Sequence, residues 1–569
     1  MPTVGRVSFE PVEGAAELFT PAFCDYLTHM HDAFAPRVAT ARSERADAAR
    51  SARADLRLPA SPERSAINTE PWQVPPVPAD LRKPGIEITG PVSITPMFIN
   101  ALNPGPEGSR AEGDLDDDED SAGHRLVDTV RAAHNRMRAV EGGLVYHDAE
   151  RDRDYAVAEG TLPFFMHRER GLHLDEPEVR IDGAPISAAI LGTALTLFHA
   201  GRAQAEAGQG IYFYLPKMES AAEAAFWRDF FAESQAFVAH LRDAVIRAIP
   251  LIESLPAVYE MEEMLHALGP YAAGLNAARW DLKASILEFV MADPEMVWPD
   301  RFGVDIKTTD FLSDIFRRLV AVCLKHGAVA VGGMATALPS RDEEVNAAAA
   351  ASIRADKEWE AAQGFTRAWV AHIYHMGTAA APFKELSDAG WRPSAEMADP
   401  EHYPIAIKRP EGEVTLEGTR RNLRTLIEYV EGWLGGRGAK GIDSLAGRPG
   451  LHPALMEDLA TARISVAQTA QRIVHAAPDA ETGEAHGMAL VKRMLLAEEE
   501  DIVARLEEPD EGTRERYRHA AKVTMHWIKS YTEFDFRSLG SYTRDDLAAI
   551  AAAPDAIPDA IPGALPDAV

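Results

Sequence analysis

The alternation of short apolar runs with longer helix-like stretches, between about residues 90 and 384, limits the possible folds of this chain more than any other feature. Each apolar run has the length of a buried strand, whereas stretches such as residues 220–245 have the length and composition of a helix. Strands that alternate with helices imply a parallel sheet, because a helix returns the chain to the same edge. We therefore expect an α/β fold.

Seven runs are clear strand candidates, and an eighth is the acidic segment "GDLDDDED" at residues 113–120. The seven runs are residues 93–102, 162–171, 210–220, 244–254, 272–281, 327–338 and 368–375. Eight such strands would close a (β/α)8 TIM barrel, whose active site lies at the C-terminal ends of the strands. Several runs do end in polar residues, namely Arg168, Lys217, Glu219, Glu253 and Asp281.

The segments on either side of this region lack its alternation of short apolar runs with helix-like stretches. Residues 1–90 are predicted to be mainly helical and charged, and they end in the Pro-rich linker "WQVPPVPADLRKPG". Residues 91–384 would form the barrel, and residues 385–550 are predicted to form a C-terminal helical domain. The last segment, residues 551–569, is a short Pro/Ala repeat that we expect to be disordered.

Charge and composition exclude several classes of function. The formal net charge of −30 argues against binding to nucleic acid or to an anionic membrane. No run approaches the roughly 18 apolar residues of a transmembrane helix, and the first residues do not resemble a signal peptide. The two cysteines, Cys24 and Cys323, allow no disulfide framework and fit a reducing compartment. We therefore expect a cytoplasmic protein.

Two carboxylates follow neighbouring strand candidates. Glu253 ends "AIPLIES" and Asp281 ends "GLNAARWD", about one strand–helix unit later. In a barrel both would lie on the same rim, where paired carboxylates suit Mg²⁺, a hard ion that prefers oxygen ligands. Each could equally be a strand-end carboxylate in a cap or an ion pair, and spacing alone favours that simpler interpretation.

Two further segments have both a functional and an ordinary interpretation. Arg168 and Arg170, in "MHRERGLHLDE", could bind a carboxylate or stabilise an oxyanion, or could form salt bridges at the rim. The acidic run "AEGDLDDDEDSAG" is typical of a solvated loop. Its functional interpretation is that Glu119 and Asp120 close a strand and orient water on a metal.

The stretch "ALMEDLATARIS", residues 454–465, is predicted to be one helix with an apolar stripe. On that helix Glu457 would face solvent, while Asp458 would lie at the edge of the stripe. Asp458 is then a helix cap, a surface residue or a catalytic base, and helical geometry alone leaves these alternatives open.

Five blocks of the sequence together resemble malate synthase in its shorter, A-type form. They are "GIYFYLPKMESAAEA", "AVYEMEEMLHALGPYAAGLNAARWD", "VGGMATALPSRDEEVN", "RADKEWEAAQGFTRAWVAH" and "LMEDLATARIS". The likeness extends from about Ile86 to about Leu547, and the N-terminal segment matches less well.

This resemblance implies a TIM barrel with an N-terminal helical clasp and a C-terminal helical domain that supplies the base. It implies the condensation of acetyl-CoA with glyoxylate and water to malate and CoA, with Mg²⁺ required. By motif, Glu253 and Asp281 match the metal ligands, Arg168 the catalytic arginine and Asp458 the catalytic base. Glu119 and Asp120 match a pair of acids that supports the metal site.

The chain also departs from the family pattern. The segment before Glu119 is polar where the family has an apolar strand, and Glu169 stands between Arg168 and Arg170, where it could lower their effective charge. Two rival hypotheses follow: a related acyl-CoA lyase or synthase with another 2-oxo acid or thioester, and a catalytically weak paralogue that binds acyl-CoA. The retained acids and Arg168 favour an active but divergent malate synthase.

Overall fold

A closed barrel of eight parallel strands forms the centre of the computed structural model, which describes residues 1–442 and 454–553. Numbered along the chain, β1 to β8 are Gly85–Gly90, Gly113–Asp117, Phe164–Arg168, Ile211–Leu215, Ile246–Ile252, Gly274–Ala277, Val329–Ala335 and Arg367–Val370. Each strand pairs in parallel with the next, and β8 pairs with β1 to close the barrel. The predicted TIM barrel is therefore confirmed.

The prediction of a strand at residues 93–102 is wrong, because Thr95–Leu102 is a helix. Pro96 lies at the start of this helix, where its fixed backbone and missing N–H are tolerated. The first barrel strand is instead Gly85–Gly90, directly after the Pro-rich segment. The other seven strand candidates each overlap one barrel strand.

The polar second strand does form, and all five residues of β2 are buried. Asp116 of this strand and Asp118 just after it are both paired with a buried arginine on a neighbouring element. Arg136, on the helix Leu126–Val140, binds Asp116 Oδ1 through Nη2 at 2.7 Å and lies 3.0 Å from Asp118 Oδ2. His167 on β3 contacts Asp116 Oδ2 through Nδ1 at 2.6 Å. A compact polar network therefore holds the acids of this strand, while its Leu115 packs in the main hydrophobic core.

Helices surround the barrel and cover its mouth, by which we mean the C-terminal ends of the strands. The outer helices are Thr95–Leu102, Leu126–Val140, Ala188–Leu195, Ala221–Phe237, Met261–Leu268, Arg279–Phe289, Asp310–His326, Glu343–Gln363 and Met376–Asp388. The C-terminal helices are Leu416–Leu434, Leu459–Val474, Met488–Arg505, Glu511–Thr532 and Arg544–Ala552. Leu459–Val474 packs against Arg279–Phe289, which brings the C-terminal helices onto the mouth.

The N-terminal region contains one long helix, Pro21–Asp55. Thr20 caps it by accepting a hydrogen bond from the backbone N–H of Phe23, and Pro21 takes the first helical position. The helix packs against the outer helices that follow β3 and β4. Its buried side chains, among them Phe23 and Tyr26, belong to the main hydrophobic core.

Short antiparallel sheets complete the described chain. One joins Thr3–Val4, Val7–Phe9, Asp175–Ile181 and Ala184–Ser187, and two hairpin-like pairs are Val145–Asp148 with Arg153–Ala156 and Lys440–Ile442 with Leu455–Glu457. The tail predicted to be disordered, residues 551–569, lies outside the described residues except for its first three. In residues 1–442 and 454–553, no helix is both long and apolar enough to cross a membrane.

Candidate active site

Three buried carboxylates meet at the mouth of the barrel and form what we call the acid cluster, Asp120, Glu253 and Asp281. One oxygen from each lies within 4.8 Å of the others. Glu253 follows β5 directly, and Asp120 follows β2. Asp281 does not end a strand as predicted, because β6 ends at Ala277 and Asp281 lies in the first turn of the helix Arg279–Phe289. A helix N-terminus favours a carboxylate at that position.

The acid cluster fits a hard divalent cation. All three donors are carboxylate oxygens and all three residues are buried, which suits Mg²⁺ better than a softer metal. Burial raises the pKa of Glu253 to about 7, and repulsion from Asp281 and Asp120 adds to the rise although Lys217 opposes it. Repulsion among the three carboxylates therefore costs free energy, and a bound cation would lower that cost.

Lys217 supplies positive charge to the acid cluster. Its Nζ lies 2.5 Å from Asp281 Oδ2, 3.0 Å from Asp120 Oδ1 and 3.7 Å from Glu253 Oε2. The residue follows β4 in a left-handed backbone conformation, with φ of 51°. Its polar position at a strand end is visible in the sequence, but its direction into the cluster is not.

Glu119 and Asp120 have different environments. Asp120 belongs to the acid cluster, whereas Glu119 accepts a hydrogen bond from the backbone N–H of Gly171 through Oε2 at 2.6 Å. Its Oε1 has no hydrogen-bond partner among the described residues and lies 3.9 Å from Lys217 Nζ. Burial raises the pKa of Glu119 to about 8.

Arg168 is the last residue of β3 and is fixed by two carboxylates. Its Nε and Nη2 donate to the two oxygens of Asp117 at 2.8 and 2.7 Å, and Nη1 lies 3.1 Å from Asp120 Oδ2. The guanidinium also lies 5.5 Å from the centre of the Trp369 ring. This bidentate contact orients the arginine rigidly at the mouth.

Glu169 does not neutralise the arginines beside it. Its Oε1 lies 3.0 Å from Arg136 Nη1 and accepts a hydrogen bond from Thr196, so the side chain joins the network around β2. Arg170 pairs instead with Glu176 at 2.8 Å. The expectation that Glu169 lowers the charge of Arg168 and Arg170 is therefore wrong, because its side chain points elsewhere.

The prediction of one helix over residues 454–465 is also wrong. Leu455–Glu457 is a short strand, and the helix begins at Leu459 with Asp458 as its N-cap. Glu457 does not face solvent: it is 3% exposed, and its Oε2 lies 4.0 Å from Arg301 Nη2. We call the segment Leu459–Val474 the Asp458 helix.

Asp458 is a cap and also faces the mouth of the barrel. Its Oδ1 accepts a hydrogen bond from the backbone N–H of Thr461 at 3.2 Å, and Thr461 Oγ1 accepts one from the Asp458 N–H. Burial raises the pKa of Asp458 well above its usual range, with repulsion from Asp120 adding to the effect.

One small cavity brings the sequence-predicted residues together. Its lining includes Asp120, Arg168, Glu253, Asp281, Trp369 and Asp458. Of the six residues that the resemblance assigned to the site, Glu119 alone does not line it. The cavity therefore offers a cation site, a fixed guanidinium and a carboxylate of raised pKa around a single space.

Sequence reasoning missed three residues of this site. Asp117 orients Arg168, and Arg463 on the Asp458 helix donates to Asp281 Oδ1 at 2.8 Å. Tyr429 carries a fully buried hydroxyl that has no partner among the described residues and whose pKa burial and Asp458 raise. Asp117 and Arg463 could have been suspected from the polar ends of β2 and of the Asp458 helix. Tyr429 could not, because a buried aromatic residue usually belongs to the core.

Comparisons with known proteins agree with this geometry. Residues 164–394 match the family model "Malate synthase, TIM barrel domain", and residues 413–544 match "Malate synthase, C-terminal". The malate synthase of Myxococcus xanthus is 37% identical over 84% of this chain and 85% of its own length. The malate synthase of Streptomyces clavuligerus is 35% identical over 93% and 96%, and malate synthase A of Escherichia coli is 34% identical over 84% and 86%. Because both family models match and these relatives are 34–37% identical over most of their length, the chain belongs to the malate synthase family.

Proposed function

We propose that this enzyme condenses the acetyl group of acetyl-CoA with glyoxylate and water, giving malate and free CoA. Membership of the family supports the reaction, and one observation of the structure carries it. Asp458, Arg168 and the acid cluster line the same small cavity, although they come from distant parts of the chain. A proton acceptor, a fixed positive charge and a cation site are the three elements that this carbon–carbon bond formation needs.

Mg²⁺ is the cofactor that we propose for the acid cluster, with Asp120, Glu253 and Asp281 as the residues that would hold it. When bound, the ion supplies Lewis-acid polarisation of the aldehyde and a template for the acceptor carboxylate. Lys217 offsets part of the negative charge of these carboxylates through its contacts with Asp120 and Asp281. The three hard oxygen donors support this assignment, and so does the raised pKa of the buried Glu253 carboxylate.

Asp458 is the residue that we propose as the base. An acetyl thioester methyl group is a very weak acid, so the carboxylate that removes its proton must contact it in a site poor in water. Asp458 is 4% exposed, and its bond to Thr461 engages Oδ1 and leaves Oδ2 to accept the proton. Its raised pKa increases the driving force for that transfer.

Arg168 is the residue that we propose to stabilise the enolate oxygen. Negative charge develops on the thioester oxygen as the proton leaves, and a guanidinium already in place needs no rearrangement to meet it. Asp117 fixes the orientation of Arg168 through two hydrogen bonds. The enolate carbon can then attack the aldehyde carbon of glyoxylate, and hydrolysis of the thioester releases CoA.

A direct assay tests this proposal. Purified protein is incubated with acetyl-CoA, glyoxylate and Mg²⁺, and free thiol and malate are measured separately. We expect equal amounts of both, and no thiol release without glyoxylate. Thiol release with another 2-oxo acid but not with glyoxylate would overturn the acceptor assignment, and absence of release with every acceptor would overturn the reaction.

We also propose a cytoplasmic location. Cys24 and Cys323 are both free and buried, which fits a protein that folds under reducing conditions. Localisation of a tagged full-length chain by cell fractionation tests this, and recovery in another compartment would contradict it.

A further inference from the structure

A second, larger cavity reaches the acid cluster from another direction. It has a volume of about 690 Å³ and lies between the N-terminal helix, the mouth of the barrel and the C-terminal helices. We call it the vestibule, and its lining includes Ala49 and Arg53 from the N-terminal helix, Arg463 from the Asp458 helix, and Phe536. Glu253 and Asp281 line both the vestibule and the small cavity, so the two spaces share a wall made of candidate metal ligands.

The two cavities differ in the reactive groups that they reach. The proposed base and the proposed enolate-stabilising residue, Asp458 and Arg168, face the small cavity, and neither is part of the described lining of the vestibule. The acetyl methyl group must approach Asp458, so the thioester enters on the side of the small cavity. A molecule that enters through the vestibule meets the metal ligands first, as the small acceptor acid must.

The lining of the vestibule carries both signs of charge, and Arg53 is the cation of interest among them. The whole protein carries a formal charge of −30, which opposes the approach of an anionic substrate. Arg45 is held by Glu223 and Arg463 by Glu288, but Arg53 makes no ion pair with any carboxylate in the part of the chain that the structure describes. Its guanidinium instead lies 4.9 Å from the centre of the Phe536 ring, which leaves its charge available to a passing anion.

We propose that the vestibule is the route by which the small anionic 2-oxo acid reaches the metal site, separate from the side on which acyl-CoA binds. This inference rests on the proposed function, since it assigns a path to the acceptor of that reaction. Arg53 attracts the acid, and the space beside Ala49 admits it. The volume of about 690 Å³ is far larger than a two-carbon acid requires, which suits a passage rather than a fitted pocket.

Two variants test the route. Ala49→Trp narrows the vestibule, and Ala48→Trp is the matched control because Ala48 is exposed on the same helix and does not line the vestibule. Arg53→Gln removes the available charge with little change in volume. Association and dissociation of glyoxylate with the Mg²⁺-loaded protein are followed by stopped-flow tryptophan fluorescence, since Trp280 and Trp369 line the small cavity.

A passage changes rates without changing equilibrium. We expect Ala49→Trp to lower the association and dissociation rate constants of glyoxylate together, by about tenfold each, with an unchanged Kd. Arg53→Gln should lower the association rate and weaken its dependence on salt, since steering by charge is screened. The KM for acetyl-CoA and the affinity for Mn²⁺, measured by electron paramagnetic resonance, should match those of the Ala48→Trp control.

The possible failures are distinguishable. Unchanged glyoxylate rates in both variants, or a rise in the KM for acetyl-CoA alone, would overturn the route while leaving the reaction intact. A change in Kd without a change in association rate would show a binding pocket and would overturn it too. If the unmodified protein releases no thiol with glyoxylate, the proposed function itself fails, whatever the variants do.

Discussion

Asp458 and Arg168 line one cavity, although Asp458 caps a C-terminal helix and Arg168 ends the third barrel strand. Both are almost fully buried, and the charge of Arg168 lowers the pKa of Asp458 against the larger upward effects of burial and Asp120. The site is therefore assembled only when the C-terminal helices rest on the barrel. Placement of those helices therefore controls whether the proposed base, Asp458, and the Arg168 guanidinium face the same space.

Asp458→Asn is expected to reduce turnover by at least about a thousandfold, because the amide cannot accept the proton from the methyl group. Asparagine is also a favoured N-cap, so the helix and the folded structure should be retained. Thiol release and thermal unfolding are measured side by side, with Mn²⁺ affinity as a third measurement that should not change. Near-normal turnover in this variant would contradict the assignment of the base.

Asp120 and Glu119 should differ in their effect on metal binding. Asp120→Asn is expected to weaken the affinity for Mn²⁺ by at least about tenfold, since it removes one of the three clustered carboxylates. Glu119→Gln should have a smaller effect, because its Oε2 is committed to the Gly171 N–H and the residue lies outside the cluster. Titration followed by electron paramagnetic resonance compares the two, and equal losses would argue against this division of roles.

The barrel could be predicted from the sequence because strand-length apolar runs recur between helices. The prediction failed at residues 93–102, where a short apolar run fits a strand and a buried helix equally well. Pro96 was the signal that favours a helix start, and the true first strand, Gly85–Gly90, was hidden behind the Pro-rich segment. A short apolar run can be assigned to a strand or to a helix only when its length, or a flanking Pro or Gly, distinguishes the two.

The candidate site could be predicted in part, since motifs marked Arg168, Glu253, Asp281 and Asp458 as members of one site. Helical geometry misplaced Glu457, because the chain changes from strand to helix at Asp458 itself. The contacts of Lys217 and Asp117 depend on side-chain directions that only the folded backbone sets. The polar second strand was also misleading, since Arg136, which pairs with its Asp116, comes from a helix outside the strand.

Arg136 should be essential to stability because it neutralises that strand. It is 2% exposed and contacts Asp116, Asp118 and Glu169, so Arg136→Met would remove the arginine that these three buried carboxylates share. We expect a loss of about 3–5 kcal/mol in the free energy of unfolding. Urea unfolding measures this, and Arg202→Met, which removes an exposed pair with Glu206, is the control that should change little. Equal effects of the two variants would show that the network around β2 is not important for stability.

His199 should make the stability of the fold depend on pH, because it is partly buried as a neutral side chain in contact with the N-terminal region. Its Nε2 donates to the backbone oxygen of Leu18 at 3.1 Å, and burial lowers its pKa to about 4. In the unfolded chain a histidine has a pKa of about 6.5, so between these values the unfolded state binds the extra proton. Stability is therefore complete above about pH 6.5 and falls as the pH drops towards 4.

His199→Gln tests this dependence, since the glutamine amide can still donate to Leu18 but does not titrate. We expect the urea midpoint of the variant to fall less than that of the unmodified protein between about pH 7 and about pH 5. Other buried histidines with a lowered pKa, such as His124, contribute to the fall of the urea midpoint with pH in both proteins. The variant and the unmodified protein should therefore differ most at the acid end, and identical slopes would show that His199 takes its proton equally in the folded and unfolded states.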